Sequence, residues 1–308
     1  MGRLRLALIA GGTSGEREVS LKGAGEVEKA LDPDKYEVVR YDPATDLALI
    51  AAHAGEIDAA FILLHGIHGE DGTVQGFLEL LGIPYQGSGV LGSALAMDKN
   101  LAKTMYRLHG LPVAGWEMAG PGDVSGPGRL LDRLRLPLVV KPVRQGSSIG
   151  MSIVREPDGL APALAKAFEH DSSVMVEEFI AGREITVGVI GNDALAALPL
   201  VEIIPGEQYE FFDYEAKYKA GATREICPAP VDDTIRDKAQ EYGLRAHRAL
   251  QLRGYSRTDM IVRGEEVFLL ETNTIPGMTP TSLLPQAARE YGLSFSALLD
   301  RLIELALE

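Results

Sequence analysis

The chain opens on an apolar run, Leu4 to Ala10, that stops at Gly11-Gly12. With no polar alternation, such a run fits a strand buried on both faces, as a parallel sheet requires. Helix and strand patterns then alternate. Val19 to Leu31 reads as a helix, Tyr36 to Tyr41 and Ala59 to Leu64 as strands, and Thr73 to Leu81 as a helix. That alternation predicts a doubly wound parallel sheet for the first part of the chain. The glycine turn at 11–15, Gly-Gly-Thr-Ser-Gly, lacks the G-x-G-x-x-G spacing of a dinucleotide fingerprint. At 308 residues the chain exceeds one ordinary core, so two or three domains are expected.

Between Ala119 and Gly128, Pro121, Pro127 and four glycines predict a loop. Beyond it, strands at Leu138 to Val140, Met151 to Val154 and Val174 to Glu178, with a helix near Leu160 to Glu169, make one α+β unit. A second unit runs from Gly182. It has strands at Glu184 to Ile190 and Ala194 to Val201, a long helix near Thr234 to Leu252, a strand hairpin and two closing helices. Gly206 to Gly221 packs Tyr209, Phe211, Phe212, Tyr214 and Tyr218 among charged residues without a sustained period. So long and aromatic a loop inside a compact domain reads as a lid over a site.

Acidic residues outnumber basic ones 44 to 30, for a net charge of −14. A surface that negative disfavours nucleic acid and anionic membranes as partners, so any polyphosphate must be held by a local basic pocket. Cys227 is the single cysteine, which excludes an internal disulfide and any multi-cysteine metal site. Arg3 and Arg5 precede an apolar stretch that is too short, and too soon followed by Glu16-Arg17-Glu18, for a signal peptide. No run of eighteen apolar residues occurs, and a cytoplasmic protein is expected.

Chemistry concentrates near the C-terminus. Arg257 and Asp259 stand two apart, as do Glu271 and Asn273, with the turn Arg263-Gly264-Glu265-Glu266 between their strands. Residues i and i+2 share a strand face and adjacent strands lie about 4.8 Å apart, so one patch of sheet would present Arg, Asp, Glu and Asn together. Three oxygen ligands without His or Cys suit Mg²⁺. The plainer alternative is a solvated sheet face, against which the Asn and the lone Arg speak. Lys141 ends the apolar strand Leu138-Val139-Val140 and precedes a small-residue turn, Gly146-Ser147-Ser148-Ile149-Gly150. An ammonium beside free backbone N–H groups cradles a polyphosphate, although this is not the G-x-x-x-x-G-K-[ST] loop. Glu177-Glu178, followed by Gly182-Arg183-Glu184, reads equally as a ligand site or a solvated strand end. Glu16 begins an acid-rich first helical turn. His65 and His68 are a weak pattern for a transition metal.

Taken in order, these segments resemble the D-alanine–D-alanine ligases of the ATP-grasp superfamily. The likeness is carried by Gly-Gly-Thr-Ser-Gly-Glu-Arg-Glu-Val-Ser (11–20), Leu-His-Gly (64–66), Gly-Glu-Asp-Gly (69–72), Tyr-Gln-Gly-Ser-Gly (85–89) and Met-Asp-Lys (97–99). Val-Lys-Pro (140–142), Gly-Ser-Ser-Ile-Gly-Met (146–151), Asp-Tyr-Glu-Ala-Lys-Tyr (213–218), Arg-x-Asp (257–259) and Glu-x-Asn-x-x-Pro-Gly-Met-Thr (271–279) complete it. The resemblance spans essentially the whole chain.

It implies an α/β ATP-grasp fold: an N-terminal parallel-sheet substrate domain (1–97), and central (98–181) and C-terminal (182–308) α+β domains enclosing the nucleotide. It also implies two D-alanines joined through a D-alanyl phosphate for peptidoglycan, in a homodimer. Lys99, Lys141 and, from the lid, Lys217 would hold ATP phosphates. Glu177 would take the adenine amino group, the backbone of Glu178 and Ile180 the adenine edge, and Glu184 the ribose. Some members carry Lys where this chain has Glu178. Asp259, Glu271 and Asn273 would bind Mg²⁺, two ions in all, with Mn²⁺ able to substitute. Arg257 and the N–H of Gly277 would face the oxyanion. Glu16 would pair with the first D-alanine's ammonium near His65, while Ser147 and Tyr218 tie loop and lid to Glu16. Ser282 and Leu283 would engage the second D-alanine. A relative joining D-alanine to D-lactate or D-serine is the nearest alternative, and a non-catalytic binding module the alternative from another class.

Overall fold

The computed structural model describes residues 2–206 and 223–308. Its first elements are β1 (Leu4–Ile9), α1 (Arg17–Ala30), β2 (Tyr36–Tyr41), α2 (Leu47–Ala52), β3 (Ala59–Ile62) and α3 (Thr73–Leu80). The strands form a parallel sheet in the order β2-β1-β3. The central strand explains the opening apolar run: Leu6 and Leu8 face one core, Ala7 and Ile9 another, and none is more than 1% exposed. Strand β3 stops at Ile62, two residues short of the sequence expectation. There the Gln86 amide replaces a neighbouring strand, accepting from Ile62 N–H at 2.8 Å and donating to Ile62 C=O at 2.7 Å.

Two helices not resolved in the sequence pattern follow, α4 (Val90–Met97) and α5 (Lys99–Leu108). Asp98 separates them by capping α5, accepting from Asn100 and Leu101 N–H at 3.0 Å each. Next come β4 (Trp116–Ala119), α6 (Gly128–Leu131), β5 (Leu138–Pro142), β6 (Ser152–Val154), α7 (Leu160–Phe168) and β7 (Val174–Glu178). The expected loop over 119–128 is a single 3₁₀ turn, Pro121–Val124, leading into α6. These strands pair antiparallel in the order β4-β7-β5-β6, with α7 packed on the sheet.

The remainder comprises β8 (Arg183–Ile190), β9 (Ala196–Ala197), β10 (Val201–Pro205), β11 (Thr223–Ile226), α8 (Asp233–Ala249), β12 (Tyr255–Arg263), β13 (Glu266–Asn273), α9 (Leu283–Tyr291) and α10 (Phe295–Leu307). The stretch 194–201, expected as one strand, is broken into β9 and β10 around Pro199, which has no N–H for a ladder. The sheet order is β11-β10-β8-β12-β13, with β9 on β8. Helix α8 covers one face together with α5, burying Ile185, Val187, Met260 and Leu269. The other face looks toward the β4-β7-β5-β6 sheet. The expected lid segment, with Lys217 and Tyr218, lies outside the described residues.

The last two helices return to the first sheet. Leu298, Leu299, Leu302 and Ile303 of α10 share a core with Leu6 and Leu8 of β1 and Ala24 and Val27 of α1. Asp300 accepts from Lys35 at 2.6 Å and from the Tyr36 hydroxyl at 2.8 Å. Among the described residues no helix is long and apolar enough to cross a membrane.

Helix α8 lies so close to β8 that a Cβ on Gly243 would overlap Val187. Glycine in a helix interior ordinarily costs about 1 kcal/mol relative to alanine. Here overpacking wins, and Gly243→Ala should destabilise the protein by about 1–3 kcal/mol. Thermal denaturation should show the drop, and Val187→Ala in the same chain should restore most of it.

Candidate active site

Lys141, at the end of β5, and Glu177, near the end of β7, lie on adjacent strands, Val139 standing opposite Glu177. The Glu177 carboxylate pairs with Lys141 through one oxygen and with Lys103, from the middle of α5, through the other. Glu177 is 3% exposed and Lys103 fully buried. Burial pushes the Glu177 carboxyl up, but the two ammoniums outweigh it and hold its pKa at about 2. Burial in turn pushes the Lys103 ammonium down, with Glu177 opposing, so each charge of the pair depends on the other. Sequence reasoning missed Lys103, although it stands one helical turn after Lys99, and that i, i+4 spacing is the signal that puts both on one face.

Lys99, the first residue of α5, donates to the Gln145 carbonyl at 2.9 Å and pairs with Glu271 at 3.2 Å. It thus bridges the loop after β5 to strand β13. That loop carries Ser147 and Ser148 in the left-handed region, with φ of 51° and 57°. Two consecutive non-glycine residues there are uncommon and turn backbone N–H groups toward one side, as an anion cradle needs. Ser147 donates to Glu16, which is buried at the start of α1.

On the facing sheet, Arg257 stands opposite Asn273 and Asp259 opposite Glu271. Arg257 grips Asp259 with two bonds of 2.8 and 2.7 Å, and Asn273 donates to Asp259 at 3.2 Å. The register shifts between Asp259 and Met260, a bulge that lets Leu270 and Glu271 both line the cleft. Although burial alone would lower it, the Arg257 pKa is raised, chiefly by Asp259 and further by Glu271 and Glu70. All four residues of the expected patch meet on one face. Among the described residues no group of three or more His, Cys, Asp or Glu gathers as a metal cluster. Two carboxylates and an amide oxygen are a donor set for a hard, oxygen-seeking cation.

Between the two sheets lies a cleft lined by Lys99, Lys141, Glu177, Ile180, Glu184 and Asp259 among others. Its cations stand in a chain of net charge −14. On the central-sheet wall the Glu178 N–H is taken by the Gly115 carbonyl at 2.9 Å and its carboxylate by Arg135 N–H at 3.2 Å. Any contact from Glu178 to an adenine edge would therefore use its carbonyl. Ser282, at the start of α9, shares a 2.8 Å hydrogen bond with Thr279, and a Cβ on Gly277 would sit 3.2 Å from its hydroxyl. The Leu283 side chain is buried in the core, which leaves its backbone for ligand contact.

His65 and Glu70 join the N-terminal sheet to this site. Burial pushes the His65 imidazole below its usual range, with Glu16 partly opposing. Glu70 accepts from Gly66 N–H at 2.8 Å and from Ile275 N–H at 3.4 Å. It therefore ties the loop after β3 to the loop after β13, a role its motif did not announce.

A cleft gripped between two antiparallel sheets, one of them ending in a lysine and a serine–glycine loop, defines an ATP-grasp enzyme. Two family profiles agree, "D-ala D-ala ligase N-terminus" over residues 40–88 and "D-ala D-ala ligase C-terminus" over residues 105–304. The chain is 61% identical to the D-alanine--D-alanine ligase of Syntrophobacter fumaroxidans, covering 99% of this chain and 98% of that one. It is also 61% identical to the D-alanine--D-alanine ligase of Desulfotalea psychrophila, covering 99% and 96%. Among solved structures it matches D-alanine--D-alanine ligase from Bacillus anthracis complexed with ATP, with TM-score 0.86, 36% identity and coverage of 99% and 97%. The VanG D-Ala:D-Ser ligase from Enterococcus faecalis matches with TM-score 0.86, 33% identity and coverage of 99% of each chain. The chain belongs to the D-alanine–D-alanine ligase family.

Burial, and after it the charge of Glu16, raise the Glu70 pKa to about 7 from an ordinary 4.5. Between those values the folded protein holds a proton that the unfolded chain has lost, so stability falls as pH rises and levels off above 7. Glu70 keeps part of its surface open, so the loss should be about 1–3 kcal/mol. Denaturant titrations at pH 4.5 and 8 should show wild type losing that much relative to Glu70→Gln, whatever constant offset the amide introduces.

Proposed function

We propose that the protein joins two D-alanine molecules with ATP, releasing D-alanyl-D-alanine, ADP and phosphate for peptidoglycan synthesis. The observation that carries this reading is the meeting at one cleft of Ser147, which donates to Glu16, with Asp259, which Arg257 grips, and the Lys99–Glu271 pair. A carboxylate resists attack by an amine because its oxygens are poor leaving groups. Phosphorylation by ATP supplies a better one, giving a D-alanyl phosphate. The work left to the protein is positioning and charge compensation.

Lys99 and Lys141 turn from their carboxylates to the ATP phosphates, and the N–H groups around Ser147 and Ser148 face the transferred phosphoryl. Lys217 adds a further cation from the segment beyond Gly206. Glu177 takes the adenine amino group, Ile180 and the Glu178 carbonyl the ring edge, and Glu184 the ribose. Glu16, held by Ser147 and, in our reading, by Tyr218, receives the ammonium of the first D-alanine beside His65. Arg257 and the Gly277 N–H stabilise the oxyanion formed when the second amine attacks. The N-terminus of α9, at Ser282 and Leu283, receives the carboxylate of that second D-alanine.

Asp259, Glu271 and Asn273 would hold Mg²⁺, two ions with Mn²⁺ as a substitute, and the metal would neutralise charge on the phosphates. In keeping with the family we further propose a cytoplasmic homodimer. The VanG likeness shows that this fold alone does not select D-alanine over D-serine as acceptor, but the 61% relatives are named for D-alanine at both positions.

ADP release from MgATP with D-alanine as the only amino acid tests the reading. Turnover with D-alanine and none with L-alanine is expected; no turnover with either would overturn it. Asp259→Asn and Glu271→Gln should each lower kcat by 100-fold or more in a protein that still folds, with the melting temperature lowered more by Asp259→Asn, which leaves the buried Arg257 without its partner. Near-wild-type rates in either variant would sink the metal assignment, and chelation by EDTA should abolish activity reversibly.

A further inference from the structure

Glu177 has two lysine partners that differ in their surroundings. Lys141 lines the nucleotide cleft and is 8% exposed. Lys103 is sealed at 0% exposure, behind the cleft wall. Its ammonium lies 5.4 Å from the ring centre of Trp116, and Trp116 stands directly across from Glu177 on the neighbouring strand. The Trp116 indole N–H is fixed by Asn100 at 2.9 Å, one turn before Lys103 on α5. Lys103 is thus enclosed by Glu177 and Trp116, with little room to reach anything else.

Two ammoniums on one carboxylate leave the buried cluster with an excess positive charge. A triphosphate in the cleft satisfies that excess by drawing Lys141 forward. Without Lys103, the same movement would strand Glu177 as a buried, unpaired carboxylate, which is strongly unfavourable. Such a group takes up a proton instead, and a protonated carboxyl is a poorer acceptor for an amino group. With Lys103 in place, one Glu177 oxygen stays anchored and the other is released to the base as Lys141 leaves.

We propose that Lys103 is a positioning residue for nucleotide selection: it holds Glu177 ionised and oriented, so that the carboxylate reads the 6-amino group of the purine. This rests on the placement of Glu177 at the adenine ring. The discrimination follows from donor and acceptor sense. Adenine offers an N–H that a carboxylate accepts, whereas guanine offers a carbonyl oxygen that a carboxylate repels.

The test compares ATP with purine riboside triphosphate, which lacks the 6-amino group, in wild type and in Lys103→Met. A charge-assisted hydrogen bond should give wild type about a ten-fold or greater preference for ATP in kcat/KM. In Lys103→Met that preference should shrink to about two-fold or less, through a higher KM for ATP, with kcat at saturation and KM for D-alanine little changed. GTP discrimination should fall in parallel. The comparison is made within one folded enzyme, and the single tryptophan, Trp116, reports by its emission whether the cluster is packed. Should methionine prevent folding, Lys103→Gln keeps a donor without the charge and is read in the same way. A preserved ATP preference in a folded variant, or KM rising equally for both nucleotides, would overturn the role of Lys103. No preference in wild type would overturn the placement of Glu177 itself and this inference with it.

Discussion

Acids and bases are stored against one another in this cleft, and the rest of the site depends on that storage. A buried carboxylate without a counter-ion is several kcal/mol unfavourable, and so is a buried ammonium. Asp259 is therefore gripped by Arg257, Glu271 by Lys99, and Glu177 by Lys103 and Lys141. Substrate does not enter a bare charged cavity. It exchanges partners with groups already compensated, so the strands carrying those groups can pack as an ordinary core when the cleft is empty of nucleotide.

The sheets that present these pairs owe their positions to helix α5. It begins with Lys99, carries Lys103 on the same face, and ends its buried side with Tyr106, whose hydroxyl donates to Thr272 at 2.7 Å. Thr272 lies between Glu271 and Asn273 on the opposite face of β13, and its hydroxyl also meets Thr258 at 2.9 Å. One short helix therefore touches both walls of the cleft, the central sheet through Glu177 and the C-terminal sheet through Glu271 and Thr272.

Much of this was legible in the sequence because the informative patterns are local. The two i, i+2 pairs, the lysine ending an apolar strand and the glycine–serine turn each announce their chemistry within about ten residues. The parallel sheet at the start was legible for the same reason. What the sequence hid is non-local or irregular. Lys103 finds its carboxylate 74 residues away, and nothing near it in the chain marks it as buried. Glu70 stands in the Gly-Glu-Asp-Gly motif, but its bond to Ile275 N–H joins residues 205 apart and leaves no local mark. The bulge after Asp259 and the strand-like pairing of the Gln86 amide leave no periodic trace, and Pro199 breaks a run whose apolar content alone suggested one strand.

The shared core of the first sheet and the last helix has a consequence for synthesis on the ribosome. Leu6 and Leu8 are made long before Leu298 to Ile303, which help to cover them. Until α10 is made that core lacks part of its native cover, although α1 can pack on it early. The nascent N-terminal sheet must therefore stay partly open, or be shielded by a chaperone, until Leu298 to Ile303 have emerged. Closure of β1 by α10 makes late completion of this core a property of the architecture.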